Sequence, residues 1–342
     1  MSTTVEPVTP TTPPRTHRGP LSAADLADVR GVIARAEAAD GVAPLSEQFR
    51  LALQSPDGLH LLSPHGYAGI VVAPSGEAAV EGVIDPEYRG SGEGALLIAA
   101  ALGEARHAGS GSAPSLWAHG DLPGAAGLAR NLGLERVREL LQLRRALPPA
   151  GAGALPLPPL PGRDDIVLRT YAGPSDDAEI LRVNNAAFSW HPEQGGWTQR
   201  QIDDRTGSEW FDPTGLFLAF DAPADRGPSS LRHASFVGGS GGGDGAGGDG
   251  TGDGKLLGFH WTKVHPAGEK GPEALGEVYV VGVDPDAQGR GLGSLLTLAG
   301  LHHLADRGLT EVELYVEGDN VAALSTYRRL GFTPYAIDVA YR

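Results

Sequence analysis

Two stretches of this chain repeat one another, and the repeat limits the folds open to it. "VGVDPDAQGRGLGSLL" (281–296) lies over "GVIDPEYRGSGEGALL" (82–97), so that Asp284-Pro285 falls on Asp85-Pro86. Gly289, Gly291 and Gly293 fall on Gly90, Gly92 and Gly94. Further on, "LYVEGDNVAALSTYRRLGF" (314–332) lies over "LWAHGDLPGAAGLARNLGL" (116–134) without a gap. Two matching blocks in the same order, at nearly the same separation, mark a tandem duplication of one structural unit. In each copy a helical start ("SAADLADVRGVIARAEAA"; "SDDAEILRVNNAAF") precedes strand-like runs. A strand entering a glycine turn follows, then an amphipathic helix, a strand, a short helix and a terminal strand. Strands mixed with crossover helices predict an α/β fold, with a mixed α+β sheet in each copy.

Two segments interrupt this pattern. "LPPAGAGALPLPPLPGRDD" (147–165) is dense in proline and reads as an extended spacer between the copies. "GGSGGGDGAGGDGTGDG" (238–254) cannot build a core and reads as a disordered loop between the strand-like runs "GLFLAF" and "KLLGFHWTKV". The expected organisation is therefore a disordered tail over 1–18, a first domain over 19–147, a linker over 148–165, and a second domain over 166–342 carrying the insertion at 238–254.

Charge and residue usage exclude several functions. Against 27 Lys and Arg stand 42 Asp and Glu, a formal net charge of −15. Nucleic-acid affinity comes largely from basic residues that neutralise phosphates, so neither nucleic acid nor an anionic membrane is an expected partner. Cysteine is absent, which removes disulfides, thiolate metal sites and a cysteine nucleophile. No window approaches the roughly 20 apolar residues of a membrane helix, and the N-terminus lacks an apolar signal run. A soluble, cytoplasmic monomer is the expectation. His302 and His303 are adjacent and diverge around a helix, and His260 and His265 have no nearby carboxylate pattern, so no metal is expected.

The glycine turn at 288–294 carries chemistry. A turn of this kind, opening a helix, aims several backbone N–H groups at one point where the helix dipole is positive. That suits a pyrophosphate, and it lets an acidic protein hold a polyanion. A phosphate loop of the Gly-x-x-x-x-Gly-Lys type is ruled out by the missing lysine. A dinucleotide fingerprint needs Gly-x-Gly-x-x-Gly early in its unit, whereas here the spacing is Gly289-x-Gly291-x-Gly293, late in each copy.

The block "VGVDPDAQGRGLGSLL", with "DNVAALSTYRRLGF" after it, resembles the acetyl-CoA site of the GNAT acetyltransferase superfamily. The resemblance covers both copies. It implies two tandem acetyltransferase domains, with acetyl-CoA as co-substrate. Gln288, Gly291 and Gly293 match the positions of the pyrophosphate turn, and Gly289, Arg290, Leu292 and Ser294 lie within it. Val281, Gly282 and Val283 are implied to meet pantetheine and the acetyl carbonyl through their backbones. Asn320, Val321, Ala322, Ala323, Leu324 and Ser325 are implied to lie along the CoA arm, although Asp319 or Asn320 also suits a helix N-cap. In the first copy Gly82, Val83, Ile84, Gly90, Ser91, Gly92, Glu93, Gly94 and Ala95 occupy the corresponding places for a second acetyl-CoA. The longer strings "NNAAFSWHPEQGGW", "FHWTKVHP" and "GEVYVVGVDP" resemble a tandem-domain branch of the superfamily. That branch acetylates the cysteinyl amine of a thiol-bearing amino sugar. Another amine, such as an aminoglycoside or a peptide terminus, and a non-catalytic acyl-CoA sensor are the alternatives.

Acetyl transfer needs a neutral amine and a leaving thiolate that gains a proton. Glu277, on the strand entering the turn, is the expected base. Tyr327, on the short helix, is the expected acid. Counted by two along the strand, Glu277, Tyr279, Val281 and Val283 share one face. In the repeat Glu277 falls on Ala78 and Tyr327 on Ala129, so the first copy is expected to bind without catalysing. Glu77 and Glu81 are expected on the face opposite Ala78. The resemblance further assigns Glu193, Lys263, Glu277 and Tyr315 to the amine substrate, with Glu47 reaching in from the first copy.

Overall fold

The structure, a computed structural model, describes residues 12–73, 75–110, 113–148, 155–189, 195–222 and 254–342. The tail before residue 12, Glu193 and positions 238–253 of the glycine-rich insertion lie outside these. The first copy runs β1 (Arg15–Arg18), α1 (Ala23–Asp40), α2 (Glu47–Ala52), β2 (Leu59–Ser63), β3 (Gly66–Val72), β4 (Ala78–Ile84), α3 (Glu93–Ala108), β5 (Ser115–His119), α4 (Pro123–Asn131) and β6 (Arg136–Ala146). The second runs β7 (Ile166–Thr170), α5 (Asp177–Ala187), α6 (Gln199–Thr206), β8 (Leu216–Asp221), β9 (Leu256–His265), β10 (Leu275–Val283), α7 (Leu292–Asp306), β11 (Glu311–Glu317), α8 (Val321–Arg329) and β12 (Thr333–Tyr341). The order anticipated from the repeat is present in both. The tail differs: Arg15–Arg18 is a strand, paired antiparallel with β2. Its backbone pairs along the β2 edge of the β2–β3 hairpin.

Local chemistry explains the helix ends. Ser22 caps α1 by accepting the Asp25 amide at 3.1 Å, and Gly41 stops it in the left-handed region at φ 70. Thr198 and Gln201 form a capping box at α6. Among the described residues no helix is long and apolar enough to cross a membrane.

The chain forms two compact units. The first comprises residues 1–141, 317–319 and 336–342, and the second 142–316 and 320–335. In the second unit the strand order is β7-β8-β9-β10-β11, followed by the end of β6. Helices α5 and α6 pack Ile180, Val183 and Ile202 on one face of that sheet, against Leu216, Leu218 and Trp261. On the other face α7 packs Leu292, Leu295 and Leu296 against Phe217, Ala219 and Leu257. A close approach makes this second layer possible: a Cβ on Gly300 would stand 2.1 Å from the buried ring of His260. The first unit repeats the plan, with strand order β1-β2-β3-β4-β5 followed by the end of β12. Each unit thus closes with a strand taken from the other copy.

The first unit has a buried charge cluster where β4 and β5 part. Those strands pair in parallel at Ala79↔Ser115 and Val80↔Leu116. Just beyond, Glu81 on β4 and His119 on β5 form an ion pair at 3.2 Å, and His119 Nδ1 meets Asp338 of β12 at 3.0 Å. The second Glu81 oxygen accepts the Ser46 amide at 2.7 Å. Burial opposes the imidazolium, but the flanking carboxylates of Asp338 and Glu81 outweigh it and push the His119 pKa up to about 10. A folded pKa above the unfolded value of about 6.5 gives stability that is complete below that value. The stabilisation is lost as pH rises through about 10. His119→Gln should therefore lower unfolding free energy by about 3 kcal/mol at neutral pH, because it strands two carboxylates. It should also flatten the fall of Tm with pH in the alkaline range. A variant whose Tm falls as steeply as that of the wild type would show that no such linkage exists.

Candidate active site

The second unit has the same fork with different residues. β10 pairs with β11 only at Gly276↔Val312 and Glu277↔Glu313. Past Glu277 the β11-facing backbone of β10 leaves the ladder, so its amides and carbonyls line the opening. On the other edge β10 pairs with β9, and the register slips between Val278 and Val280, leaving Tyr279 as the extra residue of a bulge.

The bulge corrects two expectations. Regular alternation ends at Tyr279, so Glu277 shares its face with Lys263, Trp261 and Val280 through the pairs Glu277↔Lys263 and Val280↔Trp261. Val281, paired with His260, lies on the opposite face with Val283. The extra residue also shifts the repeat. Glu277 stands beside Glu313 as Ala79 stands beside Ser115, so the counterpart of Glu277 is Ala79 rather than Ala78. Glu81, two residues on, therefore lies on the same face as that counterpart, not the opposite one. Its carboxylate is committed to His119 and the Ser46 amide.

Glu277 is 8% exposed. Its Oε2 bonds His265 Nε2 at 2.5 Å and lies 3.5 Å from Lys270 Nζ. Burial alone would raise its pKa; the His265 bond and the nearby Lys270 and Lys263 cations outweigh that and hold it below the ordinary glutamate value. His265 is itself bonded through Nδ1 to Glu269 Oε1 at 2.7 Å, so it does have carboxylate neighbours, contrary to the sequence reading. The β9–β10 hairpin brings them together. Glu313, fully buried, receives Lys270, Gln142 Nε2 at 2.5 Å and Arg144 at 3.1 Å. Atoms of His265, Glu277 and Glu313 lie within 4.8 Å of one another, a spacing that could suit a metal. The cation present between the two carboxylates is the Lys270 ammonium.

Three of the expected residues converge. Lys263 is the cross-strand partner of Glu277, its ammonium 5.1 Å from the Trp210 ring and 5.8 Å from that of Tyr279. Tyr315, exposed on β11, has Lys270 over its ring at 5.3 Å. Arg205 bonds the Tyr279 hydroxyl at 3.0 Å and stacks on Trp197. A wall of aromatic rings and cations thus borders the carboxylate. Tyr327 sits on α8, half-buried, its ring edge-on to Phe332. Desolvation pushes its pKa up to about 12. Glu47 opens α2 in the first unit and is exposed.

The turn after β10 is an open cradle. Asp284 anchors its start by accepting the Asp286 amide at 3.0 Å and pairing with Arg182 at 2.6 Å and Lys255 at 3.0 Å. Burial opposes the Asp284 charge, but these partners hold its pKa down at about 2. Gly289 and Gly291 adopt φ 80 and 75, the left-handed region where a side chain is strained. A Cβ on either, or on Gly293, would meet nothing within 4 Å, so the backbone faces open space. Arg290 is engaged by Asp165 at 3.1 Å and Asp221 at 2.9 Å, while the amides at the head of α7 face the open turn. Asn320, not Asp319, caps α8, its Oδ1 accepting the Ala323 amide at 3.1 Å. Val321 beside it is 74% exposed.

The first copy keeps the backbone of the turn, with Gly90 and Gly92 at φ 78 and 87. Its charges differ. Arg89 is bidentate on Asp40 at 2.7 Å. Glu93, where the second copy has the core residue Leu292, turns its carboxylate to the His65 amide at 2.8 Å and the His65 ring at 3.0 Å.

A sequence profile of the Acetyltransferase (GNAT) family matches residues 248–332. A mycothiol acetyltransferase of Gordonia bronchialis is 54% identical over 321 residues, which are 93% of this chain and 91% of that protein. A GCN5-related N-acetyltransferase of Sphaerobacter thermophilus has a similar solved structure, with a TM-score of 0.67 at 20% identity, covering 97% of this chain and 96% of that one. A tandem GNAT protein from the clavulanic acid biosynthesis pathway gives a TM-score of 0.55 at 21% identity, covering 96% and 98%. The last two speak to the fold.

Proposed function

We propose that this chain, which belongs to the mycothiol acetyltransferase family, moves acetyl from acetyl-CoA to the cysteinyl amine of 1D-myo-inositol 2-(L-cysteinylamino)-2-deoxy-glucopyranoside, releasing mycothiol and CoA. One observation carries the reading of the site: a buried, ionised Glu277 stands where β10 and β11 part, on the strand that runs into the open glycine turn.

The residues divide the work. Amides of the 288–294 turn hold the pyrophosphate, and the freed backbone of Val281 to Val283 aligns the thioester arm and meets its carbonyl. Glu277 takes the amine proton as nitrogen bonds to the acetyl carbon. An α-amino group with a pKa of about 7.7–8.0 gives up its proton readily, so a weak base suffices. Tyr327 keeps its proton through the working pH range and donates it to sulfur as the C–S bond breaks. Lys263, Tyr315 and Glu193 present donors and acceptors to the polyol.

Mass spectrometry of acetyl-CoA incubated with enzyme and candidate amines tests the assignment. Absence of the acetylated cysteinyl amino sugar would reject it, and acetylation of an aminoglycoside or peptide instead would redirect it. We also read the first copy's turn as a second, non-catalytic acetyl-CoA cradle, supported by the shared backbone of Gly90 and Gly92. Calorimetry should then count two CoA molecules per chain; one per chain would remove the second site.

A further inference from the structure

We infer that His265 and Glu269 form a proton exit from Glu277 to solvent. The inference rests on Glu277 being the base.

Glu277 is almost closed to water, yet every turnover delivers a proton to it. The carboxylate contacts to His265 and Lys270 both fall on Oε2, so Oε1 is the oxygen left to meet the amine. His265 is 2% exposed and bonded at both ring nitrogens, to Glu277 at 2.5 Å and to Glu269 at 2.7 Å. Glu269, in the β9–β10 connection, has a side chain 46% exposed. The chain therefore passes from a buried carboxylate, through a buried ring, to a carboxylate in water. When the ring donates to both neighbours it carries a proton on each nitrogen. The amine proton arrives on Glu277 Oε1 while the Nδ1 proton leaves through Glu269 to water. One proton enters and one departs, and the buried pair changes from an anion beside a cation to two neutral groups. Its net charge is constant, which a low-dielectric site favours. Glu277 then returns its proton to the ring, which restores the ion pair, and Tyr327 regains from water the proton it gave to sulfur, so one proton reaches water for each one taken from it.

The other charged groups facing this pair are fixed ones. Lys270 bridges Glu277 and Glu313, Arg144 holds Glu313, and Lys263 stands across the strand. None of these links Glu277 to water through a titrating ring. Tyr315 meets Lys270 through its ring.

Glu269→Gln tests the path, because the position is exposed and the change keeps the side chain's shape. KM for both substrates should stay near wild type. In dilute buffer kcat should fall about tenfold, less than the 10²–10⁴ typical of a group that meets the reacting proton directly. The rate should then recover as imidazole buffer is raised, whereas wild type should be indifferent to buffer concentration. His265→Gln, if it folds, should show the same buffer dependence with a larger loss. A Glu269→Gln enzyme with wild-type kcat and no buffer dependence, beside an inactive Glu277→Gln, would overturn the exit and leave the base intact. Wild-type turnover by Glu277→Gln would remove the base and the exit together.

Discussion

Glu277→Gln should cut kcat by about 10²–10⁴-fold and leave KM for acetyl-CoA close to the wild-type value. In the proposed reading the cofactor arm is held by the turn and by backbone, neither of which this substitution touches. Glutamine keeps the volume and can still meet His265 and Lys270, but cannot take a proton. The pH profile separates a lost base from a lost contact. In wild type, where Glu277 is ionised well below neutrality, the rise in rate should follow the substrate amine, near its pKa of about 8. In the variant the rate should keep rising beyond that, as hydroxide and buffer replace the carboxylate. A variant with wild-type kcat and a raised KM for the amine would make Glu277 a binding residue only.

Tyr327→Phe should lower kcat by a comparable factor, through the leaving group rather than the nucleophile. The phenol's pKa of about 12 keeps it protonated throughout the assay range, so it is always ready to donate. Its ring packs on Phe332, and phenylalanine preserves that contact. The test is the thioester. With CoA, whose thiol is a mediocre leaving group, the loss should be full. With an acetyl thioester of a more acidic thiol, which leaves without help, variant and wild type should converge. An equal loss with both would remove the role of acid from Tyr327.

The repeat, the glycine turns and the strand that carries Glu277 were legible in sequence because each depends on contiguous residues. The β8–β9 pair was legible too, since the two apolar runs flank the insertion and pair antiparallel, with one slip between Ala219 and Phe220. Other features depend on register. One unpaired residue, Tyr279, reverses the faces of β10 and moves the counterpart of Glu277 by one position, and nothing local in "GEVYVVGV" announces it. His265, Glu269 and Lys270 escaped for a related reason. Only when the β9–β10 hairpin is folded about Lys270, so that Lys263 meets Glu277, does His265 come beside that carboxylate. Glu313 reads as an ordinary strand residue until its burial and three donors are seen.

The strands that close the two units bear on how the chain is made. A ribosome releases the first copy before the second, yet the first unit's sheet is completed by Asp338 to Tyr341, which are made after the whole of the second copy's helices. His119 waits for Asp338, and Leu116 for Tyr341. In the reverse sense Gln142 and Arg144, made early, are reserved for Glu313. Neither half can finish its sheet until the other copy's closing strand has been made. The proline-rich segment looks like a place to divide the protein, but a cut there would leave each half without its final strand. A duplicated gene wired in this way cannot readily discard either copy, since each unit's sheet is built partly from the other.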